Sequence, residues 1–302
     1  MSEPLRVIKS IQVTDQTLRA TNVLEDDSAA WSDTTTYGAG NRVHLTSSHK
    51  IYQSIQADNL GKNPESEPMW WVEVSPTNRW KLFDLSSTTQ TRIGTYSFYE
   101  LAPGIAVNAV ALINIEGVTA VYIRLTDPDF GVVYDKSYDL GAVPSESSWY
   151  AWFFEPRSTQ KQFVVRDLPS YPNATLRVEF QSGGEAYIGA LVFGDMKSIG
   201  IGTRQGVRLG IQDFSRKERN EWGDTLLVQR AFARRASFNV LIDNKSLDNV
   251  FNALAAFRST PCVWVGSDRY GSMTIFGFFN NFEINIAYAR YSDVSIDIEG
   301  LT

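Results

Sequence analysis

The sequence predicts a mainly β protein that contains more than one domain. Its 302 residues exceed what one hydrophobic core usually serves, since domains commonly span roughly 100 to 150 residues. Aromatic residues make up 13% of the chain, and together with β-branched residues they form short runs that end at Gly, Pro, Asn, Asp or Ser. Such runs suit pleated, half-buried strands. A hydrophobic fraction of 43% is that of a globular protein, so we do not expect disorder.

Charge, cysteine content and hydropathy narrow the classes of function. The net charge of −6 disfavours general nucleic-acid binding, because affinity for phosphate comes from clustered Lys and Arg. The single cysteine, Cys262, cannot form an internal disulfide, and we predict that it is a core residue. The N-terminus lacks an apolar leader, and the longest apolar stretch, residues 105–113, is shorter than the ~20 residues of a membrane span. We therefore expect a soluble protein that is made in a cytoplasm.

The first quarter of the chain divides into two regions of different composition. In residues 1–30, Val7, Ile8 and Ile11 follow an irregular alternation, from which we predict a pair of lead-in strands. Residues 31–75 are rich in Thr, Ser, Gly, Asn and Pro and carry well-spaced aromatic residues. This composition is typical of a small, turn-rich β module, which we take as the first domain.

Residues 76–195 show repeated period-two patterns, in which one face of a strand is apolar and the other is mostly polar. The clearest examples are VYIRL at 121–125 and LRVEF at 176–180. Turns rich in Pro and Gly separate these segments, and no helical period lies between them. The pattern favours an antiparallel β-sandwich as the second domain.

Residues 196–302 contain the one convincing helical pattern. An apolar stripe predicts a helix near 246–258, with Asn244 or Ser246 as its N-cap and Pro261 after its end. The stripe consists of Leu247, Val250, Phe251, Leu254 and Phe257. Alternating segments predict strands at 262–265, 282–288 and 294–299. The third domain is therefore predicted to be an α+β unit, with one helix packed on a sheet.

No residue pattern indicates an active site. The two histidines, His44 and His49, have no cluster of Cys or carboxylates around them with the spacing of metal ligands. The stretch GIGTRQG at 200–206 departs from the spacing of a dinucleotide-binding loop and is not surrounded by a βαβ unit, so a glycine-rich turn is the better interpretation. We expect that the protein is not an enzyme and that it holds neither a metal nor another cofactor.

Aromatic and polar residues are spaced in a suggestive way in residues 31–75. Flat rings next to Asn, Asp and Thr can bind sugars, because the rings contact C–H faces and the polar groups pair with hydroxyls. The order of a Trp, YGAGNRV at 37–43, KIYQS at 50–54, Asn63-Pro64 and a final Trp pair resembles the small chitin- and cellulose-binding modules of bacterial chitinases. The resemblance implies a carbohydrate-binding surface made of Trp31, Tyr37, Tyr52, Trp70 and Trp71.

The same rings could instead form the core of the module. A unit of about 45 residues without a disulfide or metal must bury some of its aromatic residues. Trp31 and Tyr52 suit that core role. Because neighbouring residues of a strand point to opposite faces, at most one of Trp70 and Trp71 is expected to be buried in the module.

Several segments along the chain resemble tail proteins of long-tailed bacteriophages, in particular baseplate or distal-tail components. The segments are PTNRW at 76–80, GTR at 202–204, IQDFSRK at 211–217, TPCVW at 260–264, FGFF at 276–279 and IEGL at 298–301. The resemblance implies a structural subunit of the tail tip in the virion, where it forms a homo-oligomeric ring with other baseplate proteins. It also implies contact with host surface polysaccharide. The pattern of the second domain is similar to the galactose-binding-like jelly rolls of such proteins.

Two other functions stay open on the sequence. A free carbohydrate-binding protein, or lectin, would be a monomer that binds glycan by itself. A glycoside hydrolase would need two carboxylates about 5 to 10 Å apart in a cleft. The tail protein is the leading hypothesis.

Overall fold

The computed structural model of this chain describes residues 3–25, 27–84, 86, 88–141, 160–219 and 222–301. Strands dominate this part of the chain, and one α-helix is present in it. All but one of the strand pairings are antiparallel. The prediction of a mainly β protein is therefore confirmed. Part of the predicted sandwich, residues 142–159, lies outside the described residues.

The strands and helices of the described residues follow one another in this order. The strands are β1 (Leu5–Lys9), β2 (Leu18–Thr21), β3 (Ala29–Ala30), β4 (Thr36–Tyr37), β5 (Arg42–Leu45), β6 (Lys50–Ser54), β7 (Asn59–Leu60), β8 (Trp71–Pro76), β9 (Thr91–Ile93), β10 (Tyr96–Leu101), β11 (Ala109–Asp127), β12 (Gly131–Asp139), β13 (Gln162–Val165), β14 (Thr175–Gly194), β15 (Met196–Ile199), β16 (Gly202–Thr203), β17 (Arg208–Asp213), β18 (Arg216–Arg219), β19 (Thr225–Val228), β20 (Phe232–Asp243), β21 (Cys262–Val265), β22 (Thr274–Asn285) and β23 (Tyr291–Gly300). The helix α1 spans Leu247–Ala256, and 3-10 turns lie at Lys81–Phe83, Asn244–Ser246 and Gly271–Met273.

An eight-stranded sheet closes on itself and forms a barrel. Its path runs β15-β1-β21-β22-β23-β20-β16, and β17 pairs with β20. A flat sheet would place the two end strands roughly 29 Å apart, at about 4.8 Å per step. Only Gly200 and Ile201 join β15 to β16, however, and they can span about 11 Å at most. The sheet must therefore curve until its ends meet, and the amide of Thr203 donates to the carbonyl of Glu3 at 2.8 Å.

Gly200 lies at the sharp bend between β15 and β16, which are the two end strands of the barrel sheet. Its φ is +72°, and a Cβ at this position would lie 2.5 Å from the carbonyl oxygen of Leu241. A side chain there would meet both backbone strain and a clash with the neighbouring strand. The segment around residue 200 is thus a glycine-dependent turn.

The lead-in region is organised differently from the prediction. Strands β1 and β2 do not pair with each other, because β1 lies inside the barrel sheet and β2 pairs with β10, and the short β3 pairs with β5 of the small module. Leu5 and Val7 are buried in the barrel interior, while Ile8 faces the other side of the sheet. A strand that is apolar on both faces belongs in the middle of a structure, which explains its irregular alternation.

The predicted helix is present as α1, and it packs on the barrel core. Leu254 and Phe257 are buried there, whereas Phe251 is about half exposed. Ser246 occupies the N-cap position without capping a helix amide, and its hydroxyl donates to the carbonyl of Asp243 at 2.9 Å. Asp243 caps the preceding 3-10 turn instead, since its carboxylate accepts from the amide of Lys245 at 3.0 Å. Of the two predicted N-caps, Ser246 is therefore the one that occupies the position, although its side chain caps no helix amide.

A second sheet, which we call the central sheet, contains seven antiparallel strands. Its path is β12-β11-β14-β10-β2, with β13 on β11 and β9 on β14. The long strands β11 and β14 run side by side, and their register shifts near Gly117, where φ is +75°. Residues from both sides of this shift, such as Leu112 and Ile123, enter one common core. The period-two segments at 121–125 and 176–180 alternate between buried and half-buried residues as predicted.

The barrel and the central sheet share a buried layer. Ala111 and Val192 of the central sheet pack in one cluster with Ile8, Val263 and Phe276 of the barrel. The opposite faces of β11 and β14 fill the core of the central sheet, so their apolar runs are buried on both sides. This explains the long apolar stretch that begins near residue 105. The two sheets therefore form one continuous body.

Cys262 is a fully buried core residue, as the sequence predicts. Burial raises the pKa of its thiol to about 12. Because the thiolate is the nucleophilic form, this cysteine is chemically quiet in the folded protein.

Candidate functional site

The small module is built from two sheets, whose strands begin with β3 at Ala29, just before residues 31–75, and end with β8 at Pro76. One sheet has the order β3-β5-β6-β8, and the other pairs β4 with β7. A cluster of five buried side chains holds them together, and it consists of Tyr37, Val43, Leu45, Tyr52 and Trp71. Trp31 and Trp70 are partly buried and pack against this cluster. The aromatic residues that the sequence singled out are thus brought together.

Their burial contradicts the expectation of an exposed aromatic platform. Trp71 is only 2% exposed, its ring lies edge-on to Tyr37 at 5.3 Å, and its indole Nε1 donates to the carbonyl of Lys62 at 2.9 Å. Tyr37 and Tyr52 are also buried. The physical reason is size, because a unit this small has few other side chains with which to fill a core.

Trp31 and Trp70 are the two predicted rings that keep an accessible part. Trp70 lies in the turn directly before β8 and packs against the same cluster that contains Trp71, and the Lys62 ammonium is 5.7 Å from its ring centroid. Met69 beside it is 72% exposed, and Ile55 and Leu60 of the same module are about half exposed. A surface of the module thus combines one aromatic ring with aliphatic groups, which the sequence did not predict.

His49 connects the module to the body of the protein. Its Nδ1 lies 2.7 Å from a carboxylate oxygen of Glu25, and its Nε2 lies 2.9 Å from one of Asp15. The imidazole stacks on Trp80 with 4.3 Å between ring centroids. Glu25 also accepts from the Thr77 hydroxyl at 2.6 Å and from Arg79 at 3.3 Å. His49 therefore helps to hold the module against the body at this junction.

Removing the Glu25 carboxylate is expected to destabilise this junction. Glu25→Ala leaves His49, Thr77 and Arg79 without their shared acceptor, and hydrogen bonds to charged groups contribute about 1.5 to 3 kcal/mol each. We expect a loss of at least about 2 kcal/mol in the free energy of unfolding, measured by urea unfolding, because water replaces only part of this bonding at the partly exposed His49 and Arg79. Asp15→Ala is the matched control, because Asp15 is mostly exposed and should cost less than about 0.5 kcal/mol. Equal effects of the two variants would contradict this account.

A second candidate surface is a β-arm formed by residues 208–230. Strand β17 pairs with the first half of β20, and β18 and β19 pair only with each other. None of the described residues of the arm is buried, and all eight residues of β18 and β19 are exposed. The arm therefore projects from the barrel without a core of its own.

The exposed residues of the arm are unusually apolar. Seven of the 23 exposed large hydrophobic residues in the described chain lie in this segment, although it is less than a tenth of the sequence. Trp222 is 87% exposed, and Leu227 and Ile211 are each exposed by more than 60%. The others are Leu209, Phe214, Leu226 and Val228. Exposed apolar residues that are concentrated in one projecting segment usually mark an interaction site.

The join between the two parts of the arm is held by a local hydrogen-bond network. The amide of Ser215 donates to Asp213 at 2.9 Å, and the amide of Arg230 donates to the Ser215 hydroxyl at 3.0 Å. Hydrogen bonds from Ser215 and Lys217 lower the pKa of the Asp213 carboxyl. The carboxylate is thus ionised at neutral pH and fixes the corner between β17 and β18.

Sequence reasoning did not identify the arm as a surface. The segment 211–217 entered only as part of the resemblance to tail proteins, and Leu226-Leu227-Val228 was not singled out. An apolar run of three residues between charged segments is as typical of a buried strand as of an exposed one. The sequence alone does not show that Leu226, Leu227 and Val228 are exposed to solvent.

Comparisons with known proteins give no relative. No protein-family model, no curated protein and no solved structure matches the chain. In the described residues, no helix is long and apolar enough to cross a membrane. The same residues contain no group of three or more His, Cys, Asp or Glu side chains that could hold a metal ion.

Proposed function

We propose that this chain is a structural, non-enzymatic subunit of a bacteriophage tail tip or baseplate, which assembles as a homo-oligomeric ring. The observation that carries the proposal is the arm, which exposes seven large apolar residues beside a well-packed body. An isolated two-stranded ribbon is marginally stable in water, so its apolar side chains are expected to be covered in the working form of the protein.

The arm suits a contact between copies of one chain. A projecting element that docks on a different surface of the next copy makes a head-to-tail interface, and such interfaces close into rings when the rotation permits. The body supplies the rigid base, because the strand β20 that carries the arm continues into the buried barrel core. A force applied to the arm would therefore pass along β20 into the barrel core, as a structural subunit requires.

The small module supplies the proposed contact with the host. We propose that it is of the chitin- and cellulose-binding type and that its accessible surface around Trp70 contacts polysaccharide, with low affinity per copy. Several copies on one ring would convert weak single contacts into durable attachment. The His49 junction supports this role, because it holds the module in a defined position on the body.

Immunogold electron microscopy of purified virions tests the proposal. An antibody against the recombinant chain is expected to label the distal end of the tail. Virions without label, together with a recombinant chain that stays monomeric at high concentration, would overturn the tail assignment and favour a free carbohydrate-binding protein.

A further inference from the structure

A pocket of about 290 Å³ opens where the barrel meets the central sheet. The central sheet contributes residues of β11 and β13, and the barrel contributes the start of β20, the start of β22 and the end of β23. The volume is just below the range of drug-sized sites, roughly 300 to 1,000 Å³, so the pocket suits a ligand about the size of one substituted ring.

The walls of this pocket are fixed by the fold. Gln162 of β13 pairs with Ile113 of β11, and the amide of Leu301 donates to the carbonyl of Phe276 at 2.9 Å. The side-chain amide of Gln90 donates to the carbonyl of Asn114, which also lines the pocket, at 3.1 Å. The pocket is therefore preformed, and pre-organisation lowers the entropic cost of binding.

Two cationic groups line the pocket, the Lys161 ammonium and the Arg234 guanidinium. Within the part of the chain that the structure describes, no Asp or Glu lines it, and neither cation forms an ion pair. This is unexpected in a chain whose 34 acidic residues outnumber its 28 Lys and Arg. The pocket therefore has a local positive potential that attracts anions.

Gln162 holds the Arg234 guanidinium at the pocket. With its amide oriented to satisfy both neighbours, Gln162 donates to the carbonyl of Thr274 at 2.9 Å and accepts from Arg234. A guanidinium has five N–H donors, so the bond to Gln162 leaves others for a ligand. The planar guanidinium matches the paired oxygens of a carboxylate or a phosphate. Arg234 is thus positioned to bind an oxyanion.

Phe232 gives the pocket an accessible apolar contact. Its side chain is 50% exposed, and the partly buried Leu301 also lines the pocket. Ile113, Ile275 and Phe276 belong to the same lining but are buried, so they shape the pocket without offering much surface. An apolar part of a ligand can therefore cover Phe232 and Leu301 and remove them from water.

Charge and lining together define the class of ligand. A cation would meet two uncompensated positive charges, and a neutral molecule would gain little from them. An oxyanion without an apolar part would leave the ring of Phe232 in water. A small oxyanion that carries an apolar group uses both features of the pocket.

We propose that this pocket binds a small organic oxyanion, either a carboxylate or a phosphate monoester, that carries one apolar ring or chain. The oxyanion is bound by Arg234 and Lys161, and the apolar group contacts Phe232 and Leu301. The inference does not rest on the proposed function, because binding at this pocket is a property of the single chain.

Ligand-observed NMR titration of the full chain at constant ionic strength tests this site. The probes are phenylacetate and phenyl phosphate, with phenylacetamide as the neutral analogue and acetate as the anion without a ring. We expect at least one aromatic anion to bind at least about tenfold more tightly than phenylacetamide and acetate. Tighter binding of phenylacetate would assign a carboxylate ligand, and tighter binding of phenyl phosphate would assign a phosphate monoester.

Three variants locate the binding at this pocket. Arg234→Gln should raise the dissociation constant of the preferred anion at least about tenfold, and Lys161→Gln at least about threefold. Phe232→Ala should raise it at least about threefold through the lost apolar contact. Arg258→Gln is the matched control, because it removes the same charge from an exposed position outside the pocket and should leave the constant unchanged.

The inference is overturned if neither aromatic anion binds or if phenylacetamide binds as tightly as phenylacetate. It is also overturned if Lys161→Gln and Phe232→Ala both leave the dissociation constant unchanged. Lys161 and Phe232 are exposed, so these two variants decide the question even if Arg234→Gln disturbs folding.

Discussion

Replacing three apolar residues of the arm is expected to convert an oligomer into a monomer without loss of folding. The variant is Ile211→Thr, Leu226→Thr and Leu227→Thr, which removes exposed aliphatic groups and keeps residues that favour strands. Each lost buried methylene costs about 0.8 kcal/mol at an interface. We expect the dissociation constant of the oligomer to rise at least about 100-fold, which corresponds to about 2.8 kcal/mol. Sedimentation velocity over a concentration series measures this change.

A matched control separates the arm from general surface hydrophobicity. Ile55→Thr, Leu60→Thr and Met69→Thr removes three exposed apolar residues of the small module and should leave the oligomer intact. The melting temperature of the arm variant should stay within a few degrees of that of the parent, since none of its changed residues is buried. An arm variant that is as oligomeric as the parent would remove the observation on which the proposed function rests.

Truncating Trp71 is expected to unfold the small module. The indole is 2% exposed, contacts Tyr37 edge-on and donates a hydrogen bond to the Lys62 carbonyl. Trp→Ala changes in cores cost about 3 to 5 kcal/mol, which is comparable to the whole stability that a module of about 45 residues can supply. We therefore expect residues 31–75 to lose protection in hydrogen exchange while the barrel and the central sheet keep theirs.

Trp70→Ala is the internal control for this prediction, because it changes the neighbouring tryptophan, which only packs against the cluster. Its cost should be about 1 kcal/mol. If Trp71→Ala left the exchange of the module unchanged, the ring would not be a core residue, and its assignment as a ligand-binding ring would regain weight.

Much of the local structure was predictable because it depends on periodicity. The alternation at 121–125 and 176–180 identified halves of β11 and β14, and the apolar stripe identified α1. The strand at 262–265 was also correct. The predicted strand at 282–288 was too long at its end, because β22 stops at Asn285 and Ile286 and Tyr288 are exposed. Alternation alone does not say where pairing with the next strand ends.

Long-range pairing was not predictable in the same way. Strand β1 (Leu5–Lys9) lies between β15 and β21, although β15 begins only at Met196 and β21 only at Cys262. The closure of the barrel depends on the kink at Gly200, and the shared layer with the central sheet depends on which face of β11 meets β1. None of these partners is encoded by local spacing, because the same apolar strand can pair with any strand of matching pattern.

For the candidate sites, the sequence by itself determined which residue types are close along the chain, and tertiary structure decided which of them reach solvent. The aromatic residues of the small module were identified from spacing alone, but only packing placed Tyr37, Tyr52 and Trp71 inside. The reverse holds for the arm, where Leu226-Leu227-Val228 has the composition of a buried strand and is exposed. The physical reason is that burial is a property of the surface a residue meets, and that surface is formed by segments far away in sequence.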